Sequence, residues 1–439
     1  MSNVLDLLDQ TAFDVEQATG TSNQLQCFWV YNRAVDIDGL RRLHDHLQQG
    51  RLLARRIERS PLPIGRHRWV SSGGLSDIDI AASARPREAF RAWLDEQPPV
   101  PLDVQHGPGW HLAVLPFTDG GAGVSMVSSH CLIDGIALCE ALANATCGRD
   151  DVFAWPAAAS RRPWRALSED MRQTARDTPD IGRAVVAAAR LARHNHSQVD
   201  SGALSPAGPD ESVTIPTDTF VVDADEWDAR AHSLGGTSNA LLSAFAARLA
   251  YRLGRVTEDG LATLTIPVNE RGPGDTRAGA VTEIDISIDP AAATTDLREI
   301  RAAVKHALIR HREVLDERWA LLPLVPLLPQ RLLRRIGVVY GNTTRVVSSN
   351  LGVINPAANR ADGTDADYFA MRVRYSGLTE TMLQRAGGLL ALVSGRLHGR
   401  VFVSAVAYQP GTSNNDLPRR LSSTLDEFSL TGTRLWCGS

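Results

Sequence analysis

Lysine is almost missing from this 439-residue chain: of its 46 basic residues only Lys305 is a lysine. With many alanines, glycines and arginines, that composition reads as coding-sequence bias more than a physical demand. Positive charge is not in excess either. The formal net charge is −4, which argues against nucleic acid as the main partner. Cysteine is scarce and odd in number: Cys27, Cys131, Cys139, Cys147 and Cys437 form no close-spaced metal pattern and cannot all pair. That fits a reducing cytoplasm better than a disulfide framework. No apolar run reaches the length of a membrane span. The start of the chain carries Asp6, Asp9 and Asp14 with no apolar stretch, so no secretory leader is expected and the expected location is cytoplasmic. What is present is a hydrophobic fraction of 43%, enough to bury large cores in two or three domains or one two-lobed unit.

The first half alternates strand and helix patterns. Residues 25–31 read as a strand, and Asp38 opens a helix with Leu40, Leu43 and Leu47 on one stripe. Residues 110–115 read as a strand paired with the one leading to His130. Helices are expected from about Trp164 and over 181–193. Residues 197–209, rich in Ser, Gly, Pro and Ala without periodicity, mark a linker. The expected division is therefore 1–196, a linker over 197–211, and 212–439. The second half offers a strand ending near Val222 and a helix over 237–253 capped by Thr237 or Ser238. Strands follow at 261–268 and 281–288. A long helix is capped by Thr295 or Asp296 and carries Leu297, Ile300, Val304 and Leu308. Later strands fall at 346–349, 368–375, 389–393 and 401–408, with a last helix over about 416–428. The expectation is α/β (α+β): two lobes, each a mixed sheet flanked by helices.

The most informative stretch is Ser129-His130-Cys131-Leu132-Ile133-Asp134-Gly135. Upstream, residues 123–128 alternate small polar and apolar types, as a half-buried strand does. Downstream, Ile136, Cys139, Leu142 and Ala143 recur at helical spacing. His130 thus falls on a strand-to-helix turn, where a side chain is held firmly and can still face a cavity. Gly135 is read here as granting a backbone geometry that other residues resist.

This stretch resembles the signature of the histidine-dependent acyltransferases with a chloramphenicol-acetyltransferase-like fold. That superfamily includes wax ester synthases/diacylglycerol acyltransferases, polyketide-associated acyltransferases and nonribosomal peptide condensation domains. Their His-x-x-x-Asp-Gly motif matches His130 to Gly135, about a third of the way along. The second histidine that often precedes it is replaced by Ser129. Residues 5–13, 53–57, 62–65 and Trp69-Val70 look like the opening of the wax ester synthase group. Residues 266–272 (IPVNERG) resemble the Pro-Val-x-x-Arg strand. Residues 348–352 (SSNLG) resemble the Ser-Asn-x-x-Gly segment, one residue short between Asn350 and Gly352. The resemblance implies two lobes meeting along a tunnel with His130 at its middle. It also implies an acyl-CoA or phosphopantetheine thioester as co-substrate, a hydroxyl or amine acceptor, and an acyl carrier protein as one form of donor. No tightly bound cofactor or metal is implied.

Acyl transfer to a hydroxyl needs a proton removed as oxygen attacks, and a histidine suits that task near neutral pH. His130 is the expected general base. Asp134 has two readings: it orients the imidazole, or it braces the turn by pairing with an arginine. The resemblance favours the brace, with Arg271 as partner. Backbone N–H groups near Gly135 and the side chains of Ser349 and Asn350 are candidates for an oxyanion, with ordinary turn chemistry as the alternative. Ser129 and Asn269 are further candidates at the substrate. Cys131 is disfavoured as a nucleophile, because neighbours on a strand point to opposite faces. Residues 321–329 (LLPLVPLLP) suggest either a lipid-facing cover or buried packing, and their three prolines exclude one regular helix.

Overall fold

Ser22–Tyr31 and Ala122–Ser129 form adjacent strands inside the first sheet, buried along nearly all their length. In the computed structural model the residues described are 3–73, 76–99, 101–149, 153–194, 212–313, 317–339, 345–412 and 414–434. The first half runs α1 (Leu7–Thr19), β1 (Ser22–Tyr31), α2 (Ile37–Gln49), a short hairpin of β2 (Arg55–Glu58) and β3 (Arg68–Ser71), then β4 (Asp79–Ile80) and α3 (Phe90–Glu96). It continues through β5 (Trp110–Pro116), β6 (Ala122–Ser129), α4 (Gly135–Thr146) and α5 (Pro163–His194). The second half runs β7 (Thr217–Asp223), α6 (Ala224–Ser233), α7 (Ser238–Arg252), β8 (Ala262–Asn269), β9 (Val281–Ile288), α8 (Arg298–Glu313), α9 (Glu317–Ala320) and α10 (Gln330–Val339). It ends with β10 (Val346–Val353), β11 (Tyr368–Ser376), α11 (Glu380–Arg385), β12 (Leu389–Leu397), β13 (Arg400–Tyr408), α12 (Leu417–Glu427) and β14 (Thr433–Arg434).

Two mixed sheets result. The first has the order β11-β1-β6-β5-β4 and the second β14-β7-β13-β12-β10-β8-β9. The expected pairing of β5 with the strand leading to His130 is formed, with Trp110 opposite Ser128. In the second lobe, α7 is apolar on almost every side and is buried over most of its length against β8, β10 and α12. Thr237 caps it by accepting the Ala240 N–H at 3.3 Å. Asp296, not Thr295, caps α8, accepting the Arg298 N–H at 2.9 Å. Asp36 caps α2, two residues before the expected start, by accepting the Asp38 N–H at 3.0 Å.

The halves of the chain do not stay apart. β11 comes from the second half, yet it pairs antiparallel with β1 over nine residues, from Ser22–Ser376 to Val30–Tyr368. Phe369, Ala370 and Met371 sink into the first core, and this burial decides which sheet the strand joins. Arg372 locks the junction: buried, it donates to Gln26 at 2.7 Å, Thr217 at 2.7 Å and Asp95 at 2.6 Å. A division at 197–211 therefore misassigns β11, and the expected linker itself lies outside the described residues. The two helices expected after Trp164 are one, α5, which runs through Pro179. Apolar residues recur on both sides of the proline, and α5 continues through it. Residues 322–327 make a short 3-10 turn, half-buried against α1 and α5.

Candidate active site at the lobe junction

His130 leaves the end of β6 in a turn whose backbone is almost fully bonded. Its N–H donates to Asn23 C=O at 2.9 Å, Ser129 N–H to Gly109 C=O at 2.8 Å, and Leu132 N–H to Ser129 C=O at 3.1 Å. The Ser129 hydroxyl accepts the Cys131 N–H at 3.2 Å. Ser129 stands opposite Gln24 in the ladder, so it faces the other side of the sheet from His130 and acts as a turn cap. The His130 side chain is half-buried. Among the described residues its imidazole makes no hydrogen bond or ion pair.

The loop between β8 and β9 reaches from the second lobe across to this turn. One Asp134 oxygen accepts the Ala137 N–H at 2.9 Å and so caps α4. The other accepts the Ala280 N–H at 3.1 Å and pairs with the Arg271 guanidinium. Both side chains are more than nine-tenths buried. Arg271 also donates to the carbonyls of Ala278 and Arg277, each at 3.0 Å. Asn269 accepts the Arg271 N–H at 3.0 Å from an exposed position, so it shapes the loop as an Asx turn. Asp134 does not touch His130, and its oxygens are spent on the brace.

Two residues that sequence reasoning passed over complete the clasp. Arg55, buried, donates to Leu132 C=O at 2.7 Å and to the carbonyl of Thr276, with its guanidinium 3.6 Å from the centre of the Trp69 ring. Asp9 on α1 accepts the N–H groups of Ala278 and Gly279 at 2.8 and 2.9 Å. Burial, opposed by those two bonds, pushes its carboxyl up to about 6. A buried acid early in a helix is a faint sequence signal that only its distant partner explains.

Gly135 departs from its expected role. It is not in the left-handed region. A Cβ there would stand 3.0 Å from Leu351 Cδ2 and 3.3 Å from Met371 Sδ. Glycine is favoured here by the close approach of the Leu351 and Met371 side chains from β10 and β11, not by a special φ. Asn350 accepts the Gly352 N–H at 2.9 Å and donates weakly to Asn239 at 3.4 Å, which is turn chemistry at the bulge between Asn350 and Val353. Ser349 is two residues from Val347, so by strand alternation it shares that face. Val347 packs against the small cluster of Ile215, Leu383, Ala391, Val406 and Tyr408.

Cys131 is buried, and burial together with Glu16 holds its thiol well above the usual range. A thiol so placed is inert. Glu16 on α1 lies beside that thiol and accepts the Asn23 N–H at 2.7 Å. Burial pushes its carboxyl up to about 7 against that bond. A cleft lies between α2, α4 and residues 271–275. Glu140, Asn144 and Arg271 line it, and His130 does not.

No family model matches the sequence, and no curated protein matches it significantly. Solved structures do match over the whole chain. The first condensation domain of the CDA synthetase is similar with a TM-score of 0.57 at 14% identity, covering 100% of this chain and 99% of that one. Wax ester synthase/diacylglycerol acyltransferase from Marinobacter aquaeolei VT8 gives 0.56 at 16% identity, with 98% and 99% covered. Polyketide synthase associated protein 5 from Mycobacterium tuberculosis gives 0.53 at 13%, with 95% and 96% covered. The chain has the two-lobed, chloramphenicol-acetyltransferase-like fold of condensation domains and acyltransferases. Among the described residues no helix is long and apolar enough to cross a membrane.

Proposed function

We propose that this protein moves an acyl group from a thioester, carried by coenzyme A or by the phosphopantetheine arm of a carrier protein, to a hydroxyl acceptor in the cytoplasm. His130 is the general base. One observation carries this reading: in a turn where the backbone, Ser129 and Asp134 are all bonded, the His130 ring is half-open and, among the described residues, unbonded at the junction of the lobes. The imidazole accepts the hydroxyl proton as oxygen attacks the thioester carbonyl, forming a tetrahedral oxyanion. Collapse expels the thiolate, which takes the proton back from the imidazolium. Holding both substrates in one complex supplies much of the rate, so no acyl-enzyme is required. Ser349 is the better oxyanion donor candidate, since the Asn350 amide is already used. The step draws only on the imidazole, the thioester and the acceptor hydroxyl.

A second reading, amide formation with an amine acceptor, is favoured by the full-length similarity to condensation domains. Purified protein incubated with acyl-CoA and acyl-carrier donors, and with matched alcohol and amine acceptors, separates the two by product mass. Ester that disappears in His130→Ala supports the leading reading, and amide supports the second. Tight binding of acyl carriers without any His130-dependent product makes the protein a non-catalytic binder of this fold.

A further inference from the structure

Three hydrogen-bonding side chains form one row across the first sheet: His130 at the end of β6, Asn23 on β1 and Tyr375 on β11. Asn23 and Tyr375 are direct partners in the β1–β11 ladder. On the other side, the bond from His130 N–H to Asn23 C=O at 2.9 Å extends the β1–β6 ladder one step past Gln24–Ser129. Residues directly opposed in an antiparallel pair place their side chains on one face, with Cβ atoms about 5 Å apart. Such a pair ordinarily exchanges two backbone bonds. Here the Asn23 N–H goes to the Glu16 carboxylate instead, at 2.7 Å. The Asn23 backbone is thus fixed from α1 and from the His130 turn together.

Its side chain is not. Asn23 Oδ1 is buried and has no hydrogen-bond partner among the described residues, a condition that costs free energy unless something fills it. Beside it stands an imidazole with no bonded nitrogen among the described residues. A histidine base needs a defined tautomer, and the bond made by the nitrogen remote from substrate sets it. The carboxylates nearby are engaged. Asp134 holds Arg271, Ala137 and Ala280, Glu16 holds the Asn23 N–H, and Ser129 faces the opposite side.

We infer that Asn23 is the positioning residue for His130: in the working site its Oδ1 accepts the His130 Nδ1–H, leaving the Nε2 lone pair for the acceptor's proton. This deepens the reading of His130 as the base and rests on it. The bond forms by rotation about side-chain torsions, because the backbones of both residues are already locked. Tyr375, the third member of the row, reaches into the cluster of Ala391 and Val406 in the second lobe, so the row runs from the base to the lobe junction.

The test is the ring nitrogen spectrum of His130 in protein labelled with 15N-histidine, assigned by the signal lost in His130→Ala and recorded where the ring is neutral. The expected result is a majority Nδ1–H tautomer in the parent. Asn23→Leu, which removes the acceptor without disturbing either backbone bond, moves the ring to the Nε2–H form that a free imidazole prefers. Asn23→Asp, which keeps an acceptor at the same place, retains Nδ1–H and guards against a leucine variant that folds badly. A parent ring already in the Nε2–H form, or an unchanged Nδ1–H ring in folded Asn23→Leu, overturns the inference. The spectra are read without turnover, so this failure and a failure of the transferase assay are separate results.

Discussion

Asp134 and Arg271 close the two lobes on each other behind the His130 turn: one carboxylate oxygen caps α4, the other meets a guanidinium from the second lobe. Both groups are buried, so removing one strands a charge that water cannot reach. We expect Asp134→Ala or Arg271→Ala to cost about 3–5 kcal/mol of stability, read by denaturant unfolding. Changing both to neutral residues should cost less than the sum. A folded, undiminished Asp134→Ala protein would contradict the bracing role.

His130→Ala should behave in the opposite way. The ring makes no hydrogen bond among the described residues, and the backbone bond to Asn23 survives the change. Stability should move by less than about 1 kcal/mol, while thioester-dependent product falls by roughly 10²–10⁴-fold. Thermal unfolding beside the mass assay separates these. A variant that melts early shows that the ring is part of the packing.

How much of this was legible beforehand follows the range of the interactions. The signature turn, the two lobes and most strands could be read because alternation and helical spacing are local. Arg271 was reachable only because a motif placed it. β11 could not be assigned to the first sheet, because its own pattern does not say which edge it joins; that is decided by Phe369 and Met371 filling a core built mostly from residues over 200 positions away. Asn23, Asp9 and Arg55 were missed for the same reason. Each looks ordinary until a partner from another element arrives: His130 N–H for Asn23, Gly279 N–H for Asp9, Thr276 C=O for Arg55.

Gly135 offers a test of packing at the junction itself. An added methyl at this position meets Leu351 at 3.0 Å and Met371 at 3.3 Å, both the flexible ends of side chains. Gly135→Ala should therefore fold with a loss of about 1–3 kcal/mol, and Gly135→Val should lose more. If the glycine instead served an unusual φ, Gly135→Ala and Gly135→Val would fail alike. Pairing Gly135→Ala with Leu351→Ala, which opens the space, should recover part of the loss. Unfolding midpoints of the four proteins in the cycle measure the coupling.

Glu16 predicts a pH dependence whose sign is opposite to that of an ordinary salt-bridged acid. Burial raises its carboxyl from 4.5 to about 7 in the folded protein, whereas the unfolded chain has the ordinary value. Between those limits the folded state holds the proton more tightly, so this group's contribution to stability is greatest below pH 4.5, falls as pH rises through 7 and is flat above. Glu16→Gln keeps an oxygen for the Asn23 N–H but does not titrate. The stability of Glu16→Gln relative to the parent should therefore rise by at most about 3 kcal/mol between pH 4.5 and 7, and change little from 7 to 8. Urea unfolding of both proteins at half-unit pH steps measures the difference and cancels every other titrating group. A flat difference would mean that Glu16 is solvated in solution and does not anchor Asn23 as a buried carboxyl.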